Sequence, residues 1–221
     1  MQLNDGTSTI STIAPELILE RLARQRPLFH SEADFQHAYA WEMQRAEPNC
    51  EIRLEVPVRT ATGAIYLDLL TRSGSSQVAV ELKYKTRALV ASVGDENFAL
   101  ADQAAQDIGR YDFFKDLSRV EAFAQSGPAR SGYAVFLTND SAYWKAPASS
   151  DHGYAAFAMN DGRKVSGIMA WGDRASEGTR RGRENGISIR DNYSLQWKEY
   201  SSVGSKGYGR FQYLCLHARA A

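Results

Sequence analysis

The chain has 221 residues, 43% of them hydrophobic and 24% charged, with 26 Lys+Arg against 26 Asp+Glu. This is the composition of a folded domain, which excludes a disordered tail or a collagen-like chain, and no apolar run approaches the ~18–20 residues that a bilayer span needs. A net charge of zero excludes a non-specific nucleic-acid coat, so any nucleic acid must be met by a local cleft.

Residues 1–11 read as a polar leader without a signal-peptide pattern, and the two cysteines, Cys50 and Cys215, have neither CxxC nor zinc-ribbon spacing. Both features predict a cytoplasmic protein in a reducing compartment. A first helix starts after Ser11 or Thr12, carries Pro15 and Glu16 in its first turn, and stops at Arg26-Pro27. A second starts at the N-cap Ser31, with Asp34 three residues on, and runs to about Arg45. Glu47-Pro48-Asn49 breaks it.

Three strands follow: Glu51–Val58, Ala64–Thr71 and Gln77–Lys85, separated by turns at Thr62-Gly63 and Ser73–Ser76. In the second, Ile65, Leu67 and Leu69 alternate with Tyr66, Asp68 and Leu70; in the third, Val78, Val80, Leu82 and Tyr84 alternate with Ala79, Glu81, Lys83 and Lys85. Residues 86–96 read as a loop and 97–117 as a long helix, with a second helix start at Ser118 and Glu121. Gly132–Leu137 is a buried strand. Residues 148–190 are Gly- and Arg-rich without long periodicity, and Leu195–Tyr200 and Phe211–His217 are closing strands. Helices interleaved with strands predict one α/β domain with a mixed sheet, the strand after the long helix being a parallel crossover.

If Ser73–Ser76 is the hairpin loop, Arg72 pairs with Gln77, and counting back sets Asp68 opposite Glu81, ~4.5–5.5 Å apart at Cβ. Lys83 shares the Glu81 face. Two carboxylates this close need a cation between them, and hard oxygen donors of this kind suit Mg²⁺. A Glu-x-Lys strand can also be a plain ion pair on a solvated face. The apolar flanks of both Asp68 and Glu81 argue against that, because strands apolar on both faces are buried and buried charges need a partner or a metal.

Asp68, then twelve residues, then Glu81-Leu82-Lys83 closing the apolar strand Val78-Ala79-Val80 resembles the PD-(D/E)XK nuclease superfamily. The helix opening Ser31-Glu32-Ala33-Asp34 is similar to the first helix of that family, where a Glu often completes the metal site, and Asp102–Phe113 is similar to its Gln/Tyr-bearing helix. The likeness covers about residues 28–140; the naming Pro is absent, with Tyr66-Leu67 before Asp68. The resemblance implies a three-layer α/β/α restriction-endonuclease-like core and a Mg²⁺-dependent nuclease (Mn²⁺ as substitute) acting on nucleic acid, DNA ahead of RNA. It implies Asp68, Glu81, the Leu82 carbonyl and Glu32 as metal ligands. Lys83 joins Asp68 and Glu81 as a catalytic group, and Gln103, Gln106, Arg110, Tyr111 and Lys85 contact substrate. A homodimer would suit duplex cutting. The alternative is a non-catalytic binding or assembly protein that keeps the fold.

Beyond that motif, Arg174, Arg180, Arg181, Arg183 and Arg190 suggest a phosphate-contacting arm or a solvated loop in equal measure. Trp144, Trp171 and Trp197 suit core packing more than base stacking. His30, His37, His152 and His217 lack metal spacing.

Overall fold

A computed structural model describes residues 14–60, 63–127, 129–149, 152–204 and 207–219. The leader and Thr62 of the first turn lie outside the described residues. Helix α1 (Pro15–Gln25) has Pro15 at its start, and α2 (Glu32–Ala46) is capped by Ser31, whose side chain accepts the Asp34 N–H at 3.1 Å. Next come β1 (Glu51–Thr60), β2 (Gly63–Ser73) and β3 (Ser76–Lys85). A hairpin, β4 (Leu89–Val93) and β5 (Glu96–Leu100), precedes α3 (Gln106–Ala124) and β6 (Arg130–Thr138). A second hairpin is built from β7 (Lys164–Met169) and β8 (Ile187–Ser194), with the one-turn α4 (Glu177–Arg180) between them. Strands β9 (Trp197–Ser202) and β10 (Arg210–Arg219) end the described fold.

Six strands form one mixed sheet in the order β1-β2-β3-β6-β10-β9. The β3–β6 pair is parallel, as a helical crossover requires, and the other neighbours are antiparallel. One face of the sheet (Val78, Val80, Leu82, Val135, Leu137) packs with Ile18, Leu22, Phe35 and Tyr39 of α1 and α2. The other (Ala79, Ala134, Phe136, Leu214, Leu216) packs with Phe113, Phe114, Leu117 and Val120 of α3 and with Ile187 and Ile189 of β8. Gly132 lets α3 approach closely: a Cβ there would lie 2.6 Å from that of Val120. Among the described residues no helix is long and apolar enough to cross a membrane.

Three expectations are corrected. Residues 97–100 are strand β5, so α3 begins at Gln106 and runs unbroken through Ser118. Ser118 turns its hydroxyl back onto the Lys115 carbonyl at 2.8 Å instead of capping a new helix. Residues 148–190 include β7 and the start of β8, which pair as a hairpin ending at Ser194. The β2–β3 loop is tighter than four residues, since Ser73 pairs with Ser76 and Gly74 takes φ +57°, but the register is the expected one, with Arg72 opposite Gln77.

A fourth difference positions the site. Leu67 packs on the α3 side and Leu69 on the α1/α2 side, although strand alternation would give them one face. Likewise Ile52 packs with the α1/α2 side and Val56 with the α3 side. The switch falls where β1 and β2 leave Glu55 and Asp68 out of the ladder and Glu55 takes φ +51°. An irregularity of this kind rotates a hairpin about its own axis, and here it turns the far half of β1–β2 toward α3.

Candidate active site

The β2–β3 ladder ends at Leu69–Val80, one residue before Asp68 would meet Glu81. Strand β6 stays paired along the opposite edge of β3 as far as Lys85–Thr138. Because successive N–H groups of a strand point to opposite edges, those of Leu82, Tyr84 and Thr86 face the side that β2 has left. An unpaired buried donor costs about 1–3 kcal/mol. Three side chains meet these donors: Asp68 Oδ2 accepts from Leu82 at 2.8 Å, Glu32 Oε2 from Tyr84 at 2.8 Å and Gln103 Oε1 from Thr86 at 3.0 Å. Asp68 and Glu32 are thereby fixed at the open edge, from β2 and from the start of α2.

On the α3 side of β3 lie Glu81 and Lys83. Glu81 is 2% exposed, and its Oε1 has no hydrogen-bond partner among the described residues. Lys83 Nζ stands 3.1 Å from Asp116 Oδ2 and 3.7 Å from Glu32 Oε1. Arg119, one turn further along α3, donates to Asp116 Oδ1 at 2.9 Å and reaches Glu81 Oε2 only at 4.0 Å, too far for a hydrogen bond. Four carboxyl groups (Glu32, Asp68, Glu81, Asp116) therefore share two cations, Lys83 and Arg119.

The electrostatics follow from that shortfall. Burial first, then Asp116 and Asp68, push the Glu81 carboxyl up to about 10, against the weaker pull of Arg119 and Lys83. Burial also raises Asp116, in spite of Lys83 and Arg119. For Lys83, burial works to lower the pKa, but Asp116 and Glu32 more than reverse it, so the amine is held as an ammonium. Lys83 is therefore a fixed positive charge and a hydrogen-bond donor, not a base.

The structure brings Asp68, Glu81, Lys83 and Glu32 together, and the Leu82 backbone lies between the first two. The other expected residues are placed elsewhere. Gln103 precedes α3 and closes the edge of β3. Gln106 donates to Asp140 at 2.9 Å, and Arg110 donates to the Ala142 carbonyl at 2.6 Å beneath Tyr143 and Tyr154. Tyr111 stacks on Trp171 at 5.4 Å. Lys85 lies two residues beyond Lys83 and half-buried, on the same strand face. Gln103 also lies outside the helix that carries Tyr111, because that helix starts at Gln106. Asp116 and Arg119 were missed; their i, i+3 spacing on a helix following an acidic strand motif was the available signal.

The surrounding residues settle into packing. Trp171 packs tilted against Phe157, and Trp197 packs edge-on against Phe136. Arg181 and Arg183 face Glu177 and Asp112, and Arg180 donates to the Gly172 carbonyl.

Among the described residues no three Asp, Glu, His or Cys side chains converge as a ready metal site. The donor chemistry nevertheless fits a Mg²⁺-like ion. Such an ion binds through one or two carboxylates and keeps waters for its other positions, and the Glu81 Oε1 is an unpartnered buried acceptor beside Asp68 and Asp116. Comparison of the chain with protein-family models, curated proteins and solved structures finds no match in any of the three.

Proposed function

We propose that the protein is a metal-dependent nuclease of the restriction-endonuclease-like, three-layer type, hydrolysing phosphodiester bonds in DNA. One observation carries the reading: four carboxyl groups around the open edge of β3 share two cations, and Glu81 answers the deficit by holding a proton at neutral pH. A divalent cation would replace that proton. Asp68, Glu81 and the Leu82 carbonyl would hold it, with Glu32 at the margin. When bound, the ion would polarise the scissile phosphate and lower the pKa of a bound water.

The chain's own residues supply the rest. Lys83, kept cationic by Asp116 and Glu32, neutralises the charge that develops on the phosphate. Asp116 positions Lys83, and Arg119 holds Asp116 in turn. Asp68 is oriented by the Leu82 N–H, so one of its oxygens is fixed and the other is left for a ligand. Gln103, Gln106, Arg110 and Tyr111 have the intramolecular partners Thr86, Asp140, Ala142 and Trp171, and Lys85 is the basic group on the Lys83 strand face placed to meet a flanking phosphate.

The test is cleavage of single-stranded, duplex and branched DNA with Mg²⁺ or Mn²⁺, wild type beside Lys83→Ala and Asp68→Asn. The expected result is cleavage by the wild type that both variants lose. Equal activity in all three would overturn the assignment. A second reading rests on the 3.1 Å Lys83–Asp116 pair, in which the charges form a closed structural network and the fold serves nucleic-acid binding or assembly. DNA binding without metal uptake or cleavage would favour it.

A further inference from the structure

A buried positive charge, Arg110, lies in the other half of α3. Arg110 is 4% exposed, makes one hydrogen bond, from Nη2 to the Ala142 carbonyl, and has a buried Nε without a partner. No carboxylate among the described residues pairs with it. Asp140, the nearest in sequence to Ala142, accepts from Gln106 and from the Ala142 N–H, and Asp107 accepts from Thr179. The nearest compensation is aromatic, the guanidinium sitting 5.0 Å from the Tyr143 ring centre and 4.4 Å from that of Tyr154, while the charges of Asp140 and Asp107 act on it without forming an ion pair. A cation–π contact offsets only part of the loss of hydration of a buried cation.

Beside this guanidinium is a cavity of about 140 Å³, walled by Tyr143, Tyr154, Pro147 and Met159, with Lys145 and Asn160 as its other polar groups. That volume is close to the ~150 Å³ cavity that accepts benzene. The walls are mostly apolar, and the charge within reach is positive.

We propose that this cavity is a binding site for a small organic carboxylate, with the carboxylate on Arg110 and an apolar body of benzene's size between the tyrosines and Met159. A planar carboxylate matches the guanidinium fork, and its arrival supplies the direct ion pair that Asp140 and Asp107, acting on the guanidinium from further off, do not make. The site is independent of the β3 edge, since Arg110 contacts none of Glu32, Asp68, Glu81 or Lys83.

The test is calorimetric titration and thermal unfolding of the full chain with sodium benzoate. Benzyl alcohol serves as the uncharged isostere, and inorganic phosphate is compared at equal ionic strength. Saturable heat and a raised Tm are expected with benzoate alone, as for any ligand that binds only the folded state. Arg110→Gln and Ala146→Phe, the latter at an exposed position on the cavity wall, should each weaken binding by about ten-fold or more, the loss expected for a charge-assisted hydrogen bond or a filled cavity. Absence of saturable heat from the wild type overturns the site. Equal response to benzyl alcohol or tighter binding of phosphate overturns the carboxylate class. Unchanged affinity in Ala146→Phe places the ligand elsewhere, and that variant decides the matter even if Arg110→Gln does not fold.

Discussion

The two halves of β3 meet the same requirement in different ways. From Ser76 to Val80 the strand is paired with β2, and its donors are met by backbone carbonyls. From Leu82 onward β2 is gone, and the donors are met by Asp68, Glu32 and Gln103. A ladder carbonyl is neutral and fully used. A carboxylate is charged and has acceptor capacity to spare. The exchange therefore turns an ordinary strand edge into a cluster of fixed negative charge, with Glu81 buried beside it. The first half is a scaffold, and the second is where chemistry is available.

The largest expected effect is at Lys83. Lys83→Met removes the cation between Asp116 and Glu32, and breaking a buried pair costs about 3–5 kcal/mol; urea unfolding at neutral pH measures it. The paired half offers no comparable position: Val78→Ala, on β3 before the break, should cost less, about 1–2 kcal/mol, by loss of methyl groups.

Next comes Glu81. Its folded pKa lies far above the value of about 4.3 in an unfolded chain. The neutral form is thus favoured by folding, and its contribution is complete below pH ~4.3 and lost progressively as pH rises toward about 10. Glu81→Gln keeps the neutral shape at every pH. It should unfold at a higher temperature than the wild type at pH 9, by the equivalent of more than about 1 kcal/mol, with the gap closing by pH 4. Saturating Mg²⁺ should shrink the advantage, because the wild type alone gains a ligand carboxylate.

Smaller still is the contrast between two changes at Asp68. Asp68→Ala leaves the Leu82 N–H unmet and should cost about 1–3 kcal/mol, whereas Asp68→Asn can still accept that bond and should cost less, while removing the charge. Hydrogen exchange at the Leu82 amide separates them: faster in the Ala variant, nearly unchanged in the Asn variant. Gln103→Ala, at a partly buried edge, should have the least effect, about 0.5–1.5 kcal/mol.

The contrast within β3 also marks what the sequence could disclose. Alternation in β3 and the Arg72–Gln77 register were legible, because both depend on local pattern and turn length. So was the grouping of Asp68, Glu81 and Lys83, which follows from that register. The parting of the strands at Asp68 was not, because it depends on the irregularity at Glu55, a residue with no special turn chemistry. Gln103 was read as helical because Ala104-Ala105-Gln106 favours helix, yet Ala105 takes φ +69° and the helix starts after it. The hairpin before it did have a signal, Gly94-Asp95 between Leu89/Ala91/Val93 and Phe98/Leu100, which fits strand alternation around a turn. The i, i+3 pairing of Asp116 and Arg119 could be seen in the sequence, but its place beside Glu81 and Lys83 follows only from the crossover that lays α3 over β3.

The proposed nuclease requires that the carboxyl groups around Glu81 take up a divalent cation. Calorimetric titration with Mg²⁺ and Mn²⁺ at pH 8, in two buffers of different ionisation heat, tests it most directly. The expected result is binding with release of close to one proton per ion, as Glu81 gives up the proton it holds, with both binding and release lost in Asp68→Asn. Absence of binding, or binding that releases no proton and survives Asp68→Asn, would contradict it.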